Sequence, residues 1–113
     1  MDDEFSKLIR SVGRCDCCRG ISNLQTAHIV GRSNHALRWN PLNAICLCKR
    51  CHIFKFHRDP LGFVEWLETT YPERMVYLRE HRNKIIKRTT EDYEELLGAV
   101  KTRDISRLVK IGY

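Results

Sequence analysis

The sequence predicts a small α+β domain in which two short strands and a helix form the core and further helices are added at both ends. Three observations predict it. Six cysteines include two CxxC pairs, Cys15-Asp16-Cys17-Cys18 and Cys48-Lys49-Arg50-Cys51, with 29 residues between the inner two. Two short runs of strand character, Leu24 to Val30 and Ala44 to Leu47, lie within that interval. Helical periodicity and helix start signals fill the chain before Cys15 and after Cys51. At 113 residues there is room for one domain, 1–113, with the cysteine-braced core at 14–60 and a helical extension over 61–113.

The elements follow in order. Phe5, Leu8, Ile9 and Val12 fall at helical spacing and predict a short amphipathic helix from Phe5 to Val12. Gly20 suits the tight turn after the first cysteine pair. The first strand run ends in the loop Gly31-Arg32-Ser33-Asn34, and Asn40-Pro41 marks a turn before the second. Asn43 stands where a buried strand would more often carry an apolar residue. Lys49 to Phe56 reads as a helix with His52 on its inner side. Asp59-Pro60 combines an N-cap with proline at the first helical position, and Leu61, Val64, Trp66 and Leu67 give the next helix an apolar stripe. Phe63, Trp66, Leu67 and Tyr71 read as packing between the added helices. Pro72 restarts the chain as a helix to about His81, carrying Met75, Val76 and Leu78. The basic stretch 83–88 reads as a linker, and Thr89-x-x-Asp92 resembles a capping box for a last helix to about Val100.

Short CxxC turns aim both sulfurs at one point, so two of them can complete a tetrahedral zinc site. The spacing favours Cys15, Cys18, Cys48 and Cys51, with Cys17 an alternative to Cys18 and Cys46 a core residue on the second strand. Six structural thiols without metal are the plain alternative. A domain this small gains stability from a structural metal.

Charge is unevenly distributed. From Phe5 to Arg58 there are ten Lys or Arg residues and one acid, a net of +9, whereas residues 60–113 carry +1. The basic half also carries the cysteine pairs, which suits a phosphodiester backbone as partner. Arg32, Arg38, Lys49, Arg50 and Lys55 are the candidate nucleic-acid contacts. Arg38 has two readings, a bidentate phosphate clamp or an ordinary surface ion pair. Trp39 reads as a core anchor. No run approaches the roughly 18 to 20 apolar residues that cross a bilayer. The acidic Met1-Asp2-Asp3-Glu4 start lacks the pattern of a secretory signal, so the chain reads as cytoplasmic and not membrane-bound.

Ala27-His28-Ile29 on the first strand, Asn43 to Cys48 on the second and Cys51-His52 on the helix resemble the HNH endonuclease family, whose site is a ββα-metal motif. His28 and Asn43 are 15 positions apart and Asn43 and His52 are 9 apart, in the family's order and spacing. The runs from Leu37 to Asn43 and from Cys51 to Pro60 look most like small phage-type HNH proteins. The resemblance covers about residues 14–60 and implies a zinc-stabilised ββα-metal core. It also implies metal-dependent DNA hydrolysis in a bacterial or phage-infected cell. On this resemblance His28 is the general base that activates water, Asn43 orients it, and His52 holds a catalytic Mg²⁺ or Mn²⁺ ion.

One position departs from the family. Many HNH sequences place a metal-binding Asp or His directly before the base, where this chain has Ala27. His57 could supply that ligand, and His35 is a weaker candidate. In a regular α-helix, residues five apart differ by about 140°, so the helix must end or widen before His57. The alternative to a nuclease is a non-catalytic zinc module that binds nucleic acid. A third reading is a zinc-bound scaffold for a protein partner; a homodimer is left open.

Overall fold

A two-stranded antiparallel sheet lies between two helical layers. The computed structural model describes residues 2–85 and 87–105. Strand β1 (Leu24–His28) pairs with β2 (Ala44–Cys48), placing Leu24 opposite Cys48 and His28 opposite Ala44. The first strand ends at His28 rather than Val30. There Ile29 N–H still donates to the Asn43 carbonyl, 2.8 Å away, as the chain turns into its loop. The second strand runs one residue further than expected, to Cys48.

All five residues of β2 are buried, because helices cover both sides of it. Successive strand residues point to opposite faces. Ile45 and Leu47 enter one core with Ala27, Leu37, Phe63, Leu67, Met75 and Leu78. Ala44 and Cys46 enter the other with Phe5, Leu8, Ile9, Trp39, Leu96, Ala99 and Val100. A strand buried on both faces reads as a continuous apolar run, as Ala44 to Cys48 does.

Helix α1 (Asp2–Arg10) begins three residues before the expected start and stops before Val12, which is 68% exposed. Asp2, Asp3 and Glu4 sit in its first turn and Lys7 and Arg10 in its last, each complementing the helix dipole. Apolar periodicity marked the buried face and missed this polar first turn. A 3₁₀ turn, Pro41–Asn43, precedes β2; the Asn40 side chain accepts from Leu42 N–H at 3.0 Å to start it.

After β2, helix α2 opens as one α-helical turn, Lys49–Cys51, and continues as a π-helical turn over His52–His57. The regular helix expected from Lys49 to Phe56 therefore widens. Asp59 caps α3 (Pro60–Thr70), its carboxylate accepting from Gly62 N–H at 3.1 Å. A Cβ at Gly62 would run into that carboxylate. The buried side of α3 is Phe63 and Leu67 with Trp66 beside them, whereas Leu61 and Val64 face outward. Helix α4 (Pro72–His81) buries Met75 and Leu78 but not Val76. The capping box at Thr89 and Asp92 is formed, with Thr89 N–H donating to the Asp92 carboxylate (2.8 Å) and Asp92 N–H to Thr89 Oγ1 (3.2 Å). It starts α5 (Thr90–Lys101), which packs on α1.

Leu96 is 1% exposed in the α1–α5 layer. Leu96→Ala is expected to destabilise the fold by about 2–5 kcal/mol, against about 0.5 kcal/mol or less for the exposed Val12→Ala. Urea unfolding of both variants measures the difference, and equal midpoints would show that α5 adds nothing to the core.

Candidate functional site

The two cysteine pairs converge. Ligand atoms of Cys15, Cys18, Cys48 and Cys51 all lie within 4.8 Å of one another. A tetrahedral site with zinc–sulfur bonds near 2.3 Å needs sulfurs about 3.8 Å apart, and Cys18 Sγ lies 3.7 Å from Cys48 Sγ. Each pair is a tight turn, in which Cys18 N–H points at Cys15 Sγ (3.5 Å) and Cys51 N–H at Cys48 Sγ (3.4 Å). The first turn is tied to the sheet by Asp16 N–H donating to the Cys46 carbonyl at 2.8 Å. Its left-handed residue is Arg19, with φ 66°, and not the glycine expected to serve there. Tyr71 adds a tether from the α3–α4 junction by donating its hydroxyl to Asp16, 2.5 Å away.

Burial opposes ionisation of Cys15, but N–H groups of Cys18, Cys48 and Cys17 outweigh it and bring its thiol down to about 6. Cys51 is pushed the other way, by burial and by hydrogen bonds with its neighbouring thiols. A metal-free cluster thus shares its protons unequally, while a bound cation favours release of all of them. The four cysteines could hold a metal ion, and the all-sulfur donor set fits structural zinc. Cys46 is buried on β2, and burial raises its pKa. Cys17 lies outside the group and accepts from Lys55 Nζ at 3.2 Å.

The histidines separate into two places. His52 and His57 come together on the π-helical turn with ring centroids 4.6 Å apart. A π-turn closes i→i+5 bonds, here Arg58 N–H to the Ile53 carbonyl at 3.1 Å, so residues five apart share a side that an ordinary α-helix would deny them. His52 Nδ1 lies 2.8 Å from Gln25 Oε1. An amide oxygen only accepts, so Nδ1 carries the proton and Nε2 keeps a free lone pair. Burial, then the nearby charge of His57, lowers the His52 pKa, favouring the neutral ring that a metal requires. Gln25 fixes this tautomer, as partners behind metal-binding histidines do.

His28 occupies the other face of the sheet. Its ring is 5.8 Å from that of Phe5 on α1, and the adjacent same-face residue Thr26 donates to the Ser6 carbonyl at 3.1 Å. Gln25 and Ala27 point to the α2 side instead. His28 Nε2 lies 3.0 Å from the Arg38 carbonyl, which places the proton on Nε2 and the lone pair on Nδ1. Burial is the main cause of its lowered pKa; the charges of Arg32 and Arg38 reinforce it, while the Arg38 carbonyl and Asp2 oppose it. Ala27 is 1% exposed within the core and offers no ligand atom.

Asn43 is fully buried at the end of the 3₁₀ turn. Its Oδ1 accepts from Val30 N–H (2.7 Å), and its Nδ2 donates to the carbonyls of Val30 (2.9 Å) and Leu37 (3.2 Å). The amide therefore clamps both ends of the loop that follows His28.

The basic candidates divide as well. Arg38 is held by the Asp2 carboxylate, with Nε and a terminal nitrogen at 3.1 and 2.5 Å. Trp39, buried as expected, donates to the same carboxylate at 2.9 Å. The Arg38 hydrogen bond is the main cause that lowers the Asp2 pKa below its ordinary value. Arg32 is exposed on the loop after His28, and Lys49, Arg50 and Lys55 are exposed on α2 and its π-turn. His35 is exposed, and Arg88 donates to its carbonyl at 2.6 Å. Gln25 and Asp2 went unrecognised in the sequence. Gln25 had a signal in its strand parity with Ala27, but Asp2 meets Arg38 across 36 positions with no local cue.

No protein-family model matches the chain, and neither a curated protein nor a solved structure matches it. Among the described residues no helix is long and apolar enough to cross a membrane.

Wild-type protein is expected to carry about one equivalent of zinc. Cys48→Ser should lose that metal and its cooperative unfolding, while Cys17→Ser and Cys46→Ser keep the metal. Elemental analysis with thermal unfolding checks this; tight zinc in Cys48→Ser would rule out the tetrad as its site. Separately, Asn43→Ala strands the Val30 N–H and should cost at least about 2 kcal/mol by urea unfolding.

Proposed function

We propose that this protein is a metal-dependent endonuclease of the HNH type that hydrolyses DNA phosphodiester bonds. The observation that carries the reading is the π-helical turn, which gives two histidines five positions apart a common side and leaves His52 Nε2 free. A widened turn there has a use if both rings serve one centre, and π-turns concentrate at functional sites.

In this reading His52 and His57 hold Mg²⁺ or Mn²⁺, with remaining positions filled by water and phosphate oxygens. The cation, when bound, offsets charge that builds on the phosphate and the leaving oxygen. His28 takes the proton from the attacking water at Nδ1, its Nε2–H being engaged by the Arg38 carbonyl. Asn43 holds the loop that follows His28 and carries Arg32. Arg32 faces the phosphate backbone directly, and Arg38 does so after exchanging Asp2 for a phosphate oxygen, a bidentate acceptor of the same kind. The cysteine tetrad, in this reading loaded with zinc, fixes β2 and α2 against the first knuckle.

A zinc-stapled module that binds nucleic acid without turnover is the second reading. It is favoured by Ala27, which removes a ligand, and by the placement of His28 across the sheet from the histidine pair.

Supercoiled plasmid incubated with wild type and His28→Ala, with and without Mg²⁺ or Mn²⁺, decides between them. The nuclease reading expects metal-dependent nicking or linearisation that falls at least about 100-fold in His28→Ala, with zinc content and circular dichroism unchanged. Retarded but uncut DNA supports the binding module, and neither cutting nor binding removes both. The pH profile is a further check. The His28 pKa lies below its ordinary 6.5, so the base is unprotonated at neutral pH. Cutting should hold down to that value and fail only below it; an acid limb centred above pH 7 would exclude His28 as the base.

A further inference from the structure

Phe54 is half exposed on the π-helical turn, where a partly hydrophobic helix would more often hide it. The Arg58 guanidinium lies over its ring, 4.5 Å from the centroid. Beside it is a cleft of 630 Å³ lined by Arg50, Phe54 and Lys55 together with Cys18 and Cys51. Arg50 also borders a second cleft of 280 Å³, which continues past Lys49 to Ile21, Ser22 and Asn23. Neither His52 nor His57 lines either cleft.

We infer that this flank of the thiol cluster binds single-stranded nucleic acid, with an unpaired base stacked on Phe54 and its phosphates beside Arg50 and Lys49. Lys49, Arg50, Lys55 and Arg58 fall within ten residues that contain no acid. Four thiolates around a divalent ion carry a net −2, so these cations exceed the charge of the centre they surround. Lys55 is already drawn to Cys17 and Arg58 to the Phe54 ring, which leaves Arg50 and Lys49 as the exposed cations of the track. An aromatic ring between cations is the arrangement by which strands are held without regard to sequence. A duplex hides the faces of its bases and presents only edges and phosphates, so a stacking ring selects unpaired nucleotides. Exposed Ile21, 72% accessible, extends the apolar side of the track beyond Arg50.

This inference rests on the nucleic-acid partner proposed above but not on cleavage. The test is fluorescence anisotropy in buffer without added divalent ions, using labelled oligothymidylate and a blunt hairpin duplex of equal length. Proteins are wild type, Phe54→Ala, Phe54→Trp and Arg50→Ala, each checked for zinc content and circular dichroism. Phe54→Ala should weaken oligothymidylate binding on the order of tenfold and leave duplex binding unchanged, with Phe54→Trp restoring the single-strand affinity. Because the ring is uncharged, the salt dependence should stay the same in Phe54→Ala, while Arg50→Ala lowers the slope by about 0.7. Equal effects of Phe54→Ala on both ligands, or none on either, overturn the inference. Wild type that binds duplex alone overturns it and leaves the DNA reading standing; wild type that binds neither overturns both.

Discussion

Four sulfur atoms meet at one point, and the two ends of a 29-residue excursion are held together where they meet. Everything between Cys18 and Cys48 must then fit inside a loop whose closure is fixed. The hairpin answers part of that constraint, with Leu24 opposite Cys48, so the strand pairing and the thiol cluster share an end. Asn43 answers the rest. Its side-chain amide ties Val30 and Leu37 to the start of β2 and replaces backbone pairing where the strands have stopped. A covered polar group costs stability unless its bonds are made, and here three bonds are made in a position with no exposure to water.

The thiol cluster also bears on the irregularity of the following helix. Cys48 caps α2, its sulfur receiving the Cys51 N–H, and Cys51 must remain in the cluster. On the far side, Asp59 and Pro60 fix where α3 begins. The π-turn lies between these two fixed points, where a widened turn can be accommodated without moving either. His52 turns inward to Gln25 and Phe56 packs against Phe63, while Phe54 is left outside.

Much of this was legible in the sequence. CxxC spacing indicated the cluster, Asp59-Pro60 and Thr89-x-x-Asp92 marked two helix starts, and the packing roles of Phe63, Leu67 and Trp39 followed from size and spacing. The possibility that the chain widens before His57 was visible because five positions do not fit an α-helical face. What remained hidden depends on pairings far apart in the chain. Asp2 holds Arg38 and Trp39, a contact no local pattern encodes. Leu61, Val64 and Val76 match a helical stripe in hydropathy, yet the phase of each helix was set by its neighbours and left them outside. Strand geometry puts Gln25 and Ala27 on one face of β1 and Thr26 and His28 on the other, but which face met α1 and which met α2 required the tertiary arrangement.

The pairing of α1 with α5 has a bearing on the order in which the protein assembles. One core draws on residues between Cys15 and Leu78, and every partner is present once the ribosome has released that stretch. The other joins Phe5, Leu8 and Ile9 to Leu96, Ala99 and Val100, so its first half must wait until α5 has been made. Contacts of such separation close late and expose apolar surface until they do. The nascent chain therefore emerges with the core around the thiol cluster complete and the other face of the sheet open, and the arrival of α5 is the event that closes it.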